Sequence, residues 1–282
     1  MLKLGIIGYP LKHSISAPMQ TAAMKEIGVE GSYEKFETEQ TKLAAQIEFF
    51  KTNDFSGFNV TIPYKVDILD FLDEIDDNAK LINAVNTVKI TPDKCLIGYN
   101  TDIYGFVEAI PPSLRQNLKS AAVIGAGGAS RAVITGLVQT GVKSIRLFVR
   151  NPNNIRELAG ELQNKFADVN FETADLNKAL NLKNTDIIVN ATPLGTIGEN
   201  ENQSPLDKAA LAAAPKTALV YDLVYNPQDT LFIQNAQSLG LQTIGGLDML
   251  VLQGLRAFEI WSGKTPSFDV MKQAALNALK EF

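Results

Sequence analysis

Lys65 and Asp102 are the residues of this chain best suited to share a proton beside a substrate hydroxyl. Lys65 closes the stretch Asn59-Val60-Thr61-Ile62-Pro63-Tyr64-Lys65. A strand is expected to end at Thr61, with Pro63 opening a helix and Lys65 in its first turn. A cation there opposes the helix dipole, and a locally unfavourable choice points to function; the plain alternative is a lysine snorkelling to solvent. Asp102 closes Gly98-Tyr99-Asn100-Thr101-Asp102, and taken alone it reads as the cap of the helix that follows. Ser14 and Ser16 lie at i and i+2, so in an extended loop both hydroxyls face one way and can donate to one carboxylate. The competing role for Ser16 is the cap of a helix from Pro18. His13, beside them, is expected to order the loop. Asn86-Thr87 and Asn100-Thr101 can hold polyol hydroxyls or merely close turns.

A different chemistry is written at Val123-Ile124-Gly125-Ala126-Gly127-Gly128-Ala129-Ser130-Arg131. An apolar strand ends in a glycine turn, and a helix pattern follows. Glycines let the backbone approach a pyrophosphate, and the N–H groups at the helix start point at the anion. Ser130 stands where a third glycine or alanine is usual. Glycine turns also serve plain strand-to-helix connections.

These residues require two α/β frameworks. Before residue 106, strands are expected at Leu4–Gly8, Tyr33–Glu37, Gly57–Thr61, Ala84–Lys89 and Cys95–Gly98. Helices are expected at Pro18–Ile27 and Lys42–Thr52, with a helix start at Tyr64–Leu72. From residue 120 the alternation restarts, with strands at Ala121–Ile124, Ser144–Val149, Val169–Thr173, Asp186–Asn190, Ala218–Asp222 and Gln242–Ile244. Helical patterns lie between most of them, as at Arg156–Phe166. That is the pattern of a doubly wound parallel sheet. Pro111-Pro112-Ser113 reads as a linker. Helices at Leu247–Trp261 and Asp269–Leu279 close the chain, with Phe258 and Trp261 as core. The expected organisation is therefore α/β with two domains. Residues 1–105 and 247–282 form a substrate domain, and residues 106–246 a Rossmann nucleotide domain.

Composition narrows the function. The chain has 282 residues, 45% hydrophobic and 20% charged, and a net charge of −5. No basic footprint suits nucleic acid or a membrane surface, and no apolar run approaches the ~20 residues of a spanning helix. The first residues read as a buried strand rather than a signal peptide, so the expected location is cytoplasmic. One cysteine, Cys95, and one histidine exclude an internal disulfide and a multi-histidine zinc site.

The chain resembles the shikimate and quinate/shikimate dehydrogenase family. The motifs that carry the resemblance are Ser14-Ile15-Ser16, Asn59 to Lys65, Ala84-Val85-Asn86-Thr87, Asn100-Thr101-Asp102, Gly125 to Arg131, Asn190-Ala191-Thr192, Val224-Tyr225-Asn226-Pro227 and Met249 to Gly254. The resemblance implies reduction of 3-dehydroshikimate to shikimate with NADPH, a step toward aromatic amino acids. It implies Lys65 and Asp102 as the catalytic pair and Ser14 and Ser16 as a carboxylate clamp. Thr61, Asn86, Asp102 and Gln253 become ring-hydroxyl contacts, with Tyr225 nearby. Gly125, Ala126, Gly127, Gly128 and Ala129 become the pyrophosphate turn, and Gly246 lies near the nicotinamide.

Departures from the family pattern bear on specificity. After the second strand of the nucleotide domain the chain reads Phe148-Val149-Arg150-Asn151-Pro152-Asn153-Asn154. The usual NADP pattern is Asn-Arg-Thr with a second arginine four residues after the first. Here Val149, Asn151 and Asn154 replace three of its residues, and Arg156 is displaced. Arg150 remains, a forked donor for a 2′-phosphate, with no acid for an NAD ribose. The expected cofactor is NADP, with NAD possible. Gln20, Asn83 and Ile103-Tyr104 also depart, leaving shikimate, quinate and related cyclic polyol acids open as substrates. The alternatives are an NAD-dependent quinate/shikimate dehydrogenase and a non-catalytic ligand-binding regulator on the same scaffold. The expected partner is a small molecule, for a monomer or homodimer.

Overall fold

The computed structural model describes residues 1–12, 14–150, 156–176 and 181–281. His13 and the Asn151, Asn153 and Asn154 positions lie outside the described residues. The chain divides into two compact units: Met1–Gly105 with Val251–Phe282, and Phe106–Leu250.

The first unit is built on a six-stranded mixed sheet of order β2-β1-β3-β5-β6-β4. Its strands are β1 (Leu2–Gly8), β2 (Gly31–Glu37), β3 (Gly57–Val60), β4 (Glu74–Ile75), β5 (Thr87–Ile90) and β6 (Leu96–Tyr99). β1 runs parallel to β2 and β3, whereas β5 is antiparallel to both β3 and β6. The antiparallel register sets Asn59 opposite Thr87 and Thr87 opposite Tyr99. α1 (Ser16–Glu26), α2 (Leu43–Thr52) and α3 (Asp77–Ile82) connect these strands. α2 buries Leu43, Ile47 and Phe50. Phe50 stacks on Phe58, ring centroids 4.5 Å apart, and meets Phe36 edge-on. α10 (Gly246–Ser262) packs through Trp261, whose indole N–H donates to the Val88 carbonyl at 2.8 Å. Gly57 is required there, because a Cβ would lie 2.2 Å from that indole nitrogen. α11 (Phe268–Leu279) lies along α1.

The second unit carries a six-stranded sheet of order β12-β11-β10-β7-β8-β9, and every pairing is parallel. Its strands are β7 (Ser120–Ile124), β8 (Ser144–Val149), β9 (Asn170–Asp175), β10 (Ile187–Asn190), β11 (Leu219–Asp222) and β12 (Gln242–Ile244). Alternation along β7 sends Ala121 and Val123 into one apolar cluster and Ala122 and Ile124 into another. Both faces are therefore covered, as a parallel sheet requires. The helices are α4 (Asp102–Ala109), α5 (Pro112–Arg115), α6 (Gly128–Gln139), α7 (Arg156–Lys165), α8 (Lys208–Leu211) and α9 (Leu231–Ser238). α4 begins in the first unit and ends in the second. The expected doubly wound sheet is present.

Four local expectations fail, each for a physical reason. No α-helix starts at Tyr64: residues 62–66 form turns and Asp67–Phe71 a 3-10 helix. The Lys65 carbonyl is engaged by the Val85 N–H at 2.8 Å, so it is lost to a helical ladder. The dipole argument for Lys65 fails with the helix. Ser16 does not cap α1, because it is already the first helical residue and Ile15 takes the cap position without a side-chain bond. Pro111-Pro112-Ser113 is no linker, since Pro112 opens α5. Residues 84–86 precede β5 rather than belonging to it, because Asn83 closes α3 in the left-handed region at φ 53°. A glycine is common at such a position, and asparagine tolerates it.

Phe50→Ala is expected to destabilise the first unit by about 3–5 kcal/mol, the cost of emptying a buried aromatic site. Urea unfolding followed by Trp261 fluorescence measures this, and a loss below about 1 kcal/mol would contradict the packing described.

Candidate active site

In the first unit, four sequence-singled residues converge. The Lys65 ammonium donates to Asp102 Oδ2 at 2.6 Å. The Asn86 amide donates to Asp102 Oδ1 at 2.8 Å, so the carboxylate is held through both oxygens. Gln253 Oε1 lies 3.5 Å from Asn86 Nδ2 and 3.4 Å from the Thr101 hydroxyl. Lys65 and Asp102 keep 25% and 14% of their side-chain surface exposed, enough for a substrate to reach them. Four separate segments supply these groups: the turn after β3, the segment before β5, the start of α4 and the middle of α10.

Asp102 does not cap α4. Asn100 does so instead, its Oδ1 accepting from the Asp102 and Ile103 N–H groups at 3.1 and 3.4 Å. That substitution leaves the Asp102 carboxylate for Lys65 and Asn86. The sequence reading missed Asn100 as the cap, although asparagine is among the residues favoured for capping a helix start.

Ser14 and Ser16 stand together at 3.4 Å between hydroxyls. Ser16 is buried, and so is Tyr33, whose phenol ionisation is pushed up by that burial. Thr61 follows β3 beside Gly8, where an added Cβ would come 2.4 Å from the threonine methyl. Among the described residues, no side-chain hydrogen bond ties Thr61 to the Lys65–Asp102 cluster.

The second unit holds the remaining candidates. Gly125 has φ +103°, and a Cβ there would meet Thr192 and the Ala191 carbonyl at 2.9 and 3.1 Å. Gly127 and Gly128 instead face open space. α6 starts with no side-chain cap, so its first N–H groups are offered to an anion. Ser130 departs from the glycine pattern for a visible reason: its hydroxyl donates to the Gly125 carbonyl at 2.9 Å and ties the turn closed. Ala126 and Ala129 complete the turn. These residues fit a dinucleotide pyrophosphate. Arg150 is exposed just past the end of β8. Gly246 opens α10, and a Cβ there would lie 2.1 Å from the Leu223 carbonyl. Tyr225 is half-buried, which pushes its phenol pKa up.

The chain matches three family models. One described as shikimate dehydrogenase substrate binding domain covers residues 6–88. One described as shikimate / quinate 5-dehydrogenase covers residues 110–224. One described as shikimate 5'-dehydrogenase C-terminal domain covers residues 246–276. A shikimate dehydrogenase (NADP(+)) of Methanococcus aeolicus is 39% identical over 279 residues, 98% of this chain and 97% of that protein. The chain belongs to the shikimate dehydrogenase family. Among solved members, the Thermus thermophilus shikimate 5-dehydrogenase in complex with NADP(H) and shikimate superposes with a TM-score of 0.86 at 35% identity. That match covers 99% of this chain and 100% of the other. The quinate dehydrogenase of Corynebacterium glutamicum in complex with NAD gives 0.90 at 28% identity, over 98% and 99% of the two chains. Among the described residues, no group of His, Cys, Asp and Glu is placed to hold a metal ion, and no helix is long and apolar enough to cross a membrane.

One buried acid escaped the sequence reading. Asp222 ends β11 and accepts from Asn190 Nδ2 at 2.9 Å, the Val224 N–H at 3.0 Å and the Thr230 hydroxyl at 2.6 Å. Asn190 in turn accepts from the Thr192 N–H and hydroxyl at 3.0 and 2.6 Å. This cluster fixes the loops after β10 and β11, including the one carrying Tyr225. Burial outweighs the three donors and raises the Asp222 pKa to about 6. The folded state thus favours the neutral acid more than the unfolded chain does. The associated cost is absent below about pH 4, grows as pH rises and is complete above about pH 6. Thermal melts from pH 4 to 7 should show the advantage of the native protein over Asp222→Asn shrinking by roughly 2–3 kcal/mol as pH rises. A pH-independent difference would remove this assignment.

Proposed function

We propose that this chain catalyses the reversible NADP-dependent reduction of 3-dehydroshikimate to shikimate. The observation that carries the reading is the Lys65–Asp102 contact at 2.6 Å, with Asn86 on the second carboxylate oxygen. Membership of the family supports the substrate class, and the glycine turn before α6 supports a dinucleotide.

Bound NADPH supplies the hydride. As the substrate carbonyl is reduced, its oxygen gains negative charge. The Lys65 ammonium stabilises that charge and donates the proton. One Lys65 hydrogen is engaged by Asp102, so the ammonium is oriented while its other hydrogens remain for substrate. In the oxidative direction a neutral Lys65 accepts the hydroxyl proton. Asp102 holds Lys65 and accepts from a neighbouring ring hydroxyl. Asn86, Gln253 and Thr61 contact the other hydroxyls, and Ser14 and Ser16 clamp the carboxylate. In the second unit, Tyr225 and Gly246 are assigned to substrate and nicotinamide by family resemblance. Gly125 to Ala129 hold the pyrophosphate, and Arg150 the 2′-phosphate.

Retention of both the Lys65–Asp102 pair and the glycine turn favours an enzyme over a ligand-binding regulator. A steady-state matrix of shikimate and quinate against NADP and NAD, read at the nicotinamide absorbance, tests the whole reading. The highest kcat/KM is expected for shikimate with NADP. An equal or better value with NAD would transfer the cofactor assignment, and no signal in any cell of the matrix would favour the regulator. Lys65→Ala should lower kcat by about 10²–10⁴-fold while KM changes little; an unaltered kcat would remove the proton-transfer role.

A further inference from the structure

Beneath the candidate site, a continuous file of buried polar side chains runs from Tyr33 to Asp102. Three of its members, Tyr33, Asn59 and Thr87, have no part in the chemistry above. Tyr33 donates to Asn59 Oδ1 at 2.7 Å. Asn59 Nδ2 donates to the Asn86 carbonyl at 3.1 Å and to the Thr87 hydroxyl at 3.0 Å. The Thr87 hydroxyl meets Asn86 Oδ1 at 3.1 Å, and Asn86 Nδ2 meets Asp102 Oδ1 at 2.8 Å.

The orientation of both amides in this file is determined. A flipped Asn59 would set its oxygen against the Asn86 carbonyl, two acceptors in contact. Asn59 therefore turns its NH2 to Asn86 and Thr87, and its oxygen must be filled by the phenol hydrogen. Thr87, receiving from Asn59, gives its own hydrogen to the Thr101 hydroxyl at 3.3 Å or to Asn86 Oδ1 at 3.1 Å. Asn86 Oδ1 accepts the Thr101 N–H at 2.8 Å. With its oxygen so held, Asn86 has only its NH2 to show Asp102. The alternative orientation would press an amide oxygen against a carboxylate.

We propose that Tyr33 and Thr87 are positioning residues, which act through Asn86 to present a donor to Asp102 and so keep the Asp102 carboxylate aligned on Lys65. The inference rests on the functional reading above and extends it to residues that never touch substrate. The strand register brings the file about, since Asn59 and Thr87 are Cα partners across β3 and β5. A fully buried hydroxyl at 87 is costly in a strand where valine would pack as well, unless its hydrogen bonds are used.

Thr87→Val cuts the file at its middle. The kcat for shikimate oxidation is expected to fall about tenfold, one buried hydrogen bond's worth, with KM within about threefold. In the unliganded protein, NMR should show the Asn86 side-chain amide hydrogens exchanging about tenfold faster. Thr87→Ser, which keeps the hydroxyl, should restore both readouts. Tyr33→Phe should show the same split between kcat and KM, and its combination with Thr87→Val should cost less than the sum of the two. A Thr87→Val protein with native kcat and native Asn86 exchange would overturn the proposal, and so would a lowered melting temperature with neither kinetic nor exchange change. Should Thr87→Val fail to fold, Tyr33→Phe carries the same readouts, and native values of both in that variant would overturn the proposal equally. Absence of shikimate turnover in the unaltered protein would count against the functional reading alone, because amide exchange still reports the file.

Discussion

The arrangement around Asp102 depends on one side-chain amide held in one orientation. Asn86 is buried, and its oxygen is taken by the Thr101 N–H. Its nitrogen is thereby turned toward the carboxylate. An acid gripped on one oxygen by a neutral donor can accept an ammonium on the other without rotating away. The half-buried setting matters, because hydrogen bonds to charge strengthen as water is withdrawn. Full exposure would leave an ordinary surface ion pair, worth little. Full burial would instead leave no face for a substrate.

Two backbone facts make that grip available. The Lys65 carbonyl is taken by Val85, which breaks the helix that Pro63 promises and leaves Lys65 on a turn. Asn100 caps α4, which frees Asp102 from a task its position would otherwise impose. In each case the functional side chain is released because a neighbour satisfies the local backbone. This is how a site keeps reactive groups available in a fold where buried polar groups must be paired.

The second unit follows the same logic with different parts. Gly125 accepts a backbone conformation and a close approach that a side chain would forbid. Ser130 then closes the turn by bonding back to the Gly125 carbonyl, so the departure from a third small residue strengthens the loop. At the ends of β10 and β11, Asn190 and Asp222 bind each other and the loops that follow them. A buried acid retained at that cost is a fastening for loops, a common use of a satisfied polar cluster.

The sequence by itself determined the layer architecture, the parallel sheet of the second unit and the residue types able to do chemistry. It did so because hydrophobic periodicity, glycine turns and clustered polar residues are local signals. Gly125 and the strands at Ser144–Val149 and Gln242–Ile244 were legible in this way. Only the tertiary structure decided that Lys65 sits on a turn, that Asn100 rather than Asp102 caps a helix, and that Tyr33, Asn59 and Thr87 line up behind Asn86. Most of these outcomes rest on partners far apart in the chain, such as Thr101 with Asn86 and Tyr33 with Asn59. Hydrogen bonds of that span follow from strand register, and register is set by how whole elements pack, which no short window of sequence contains.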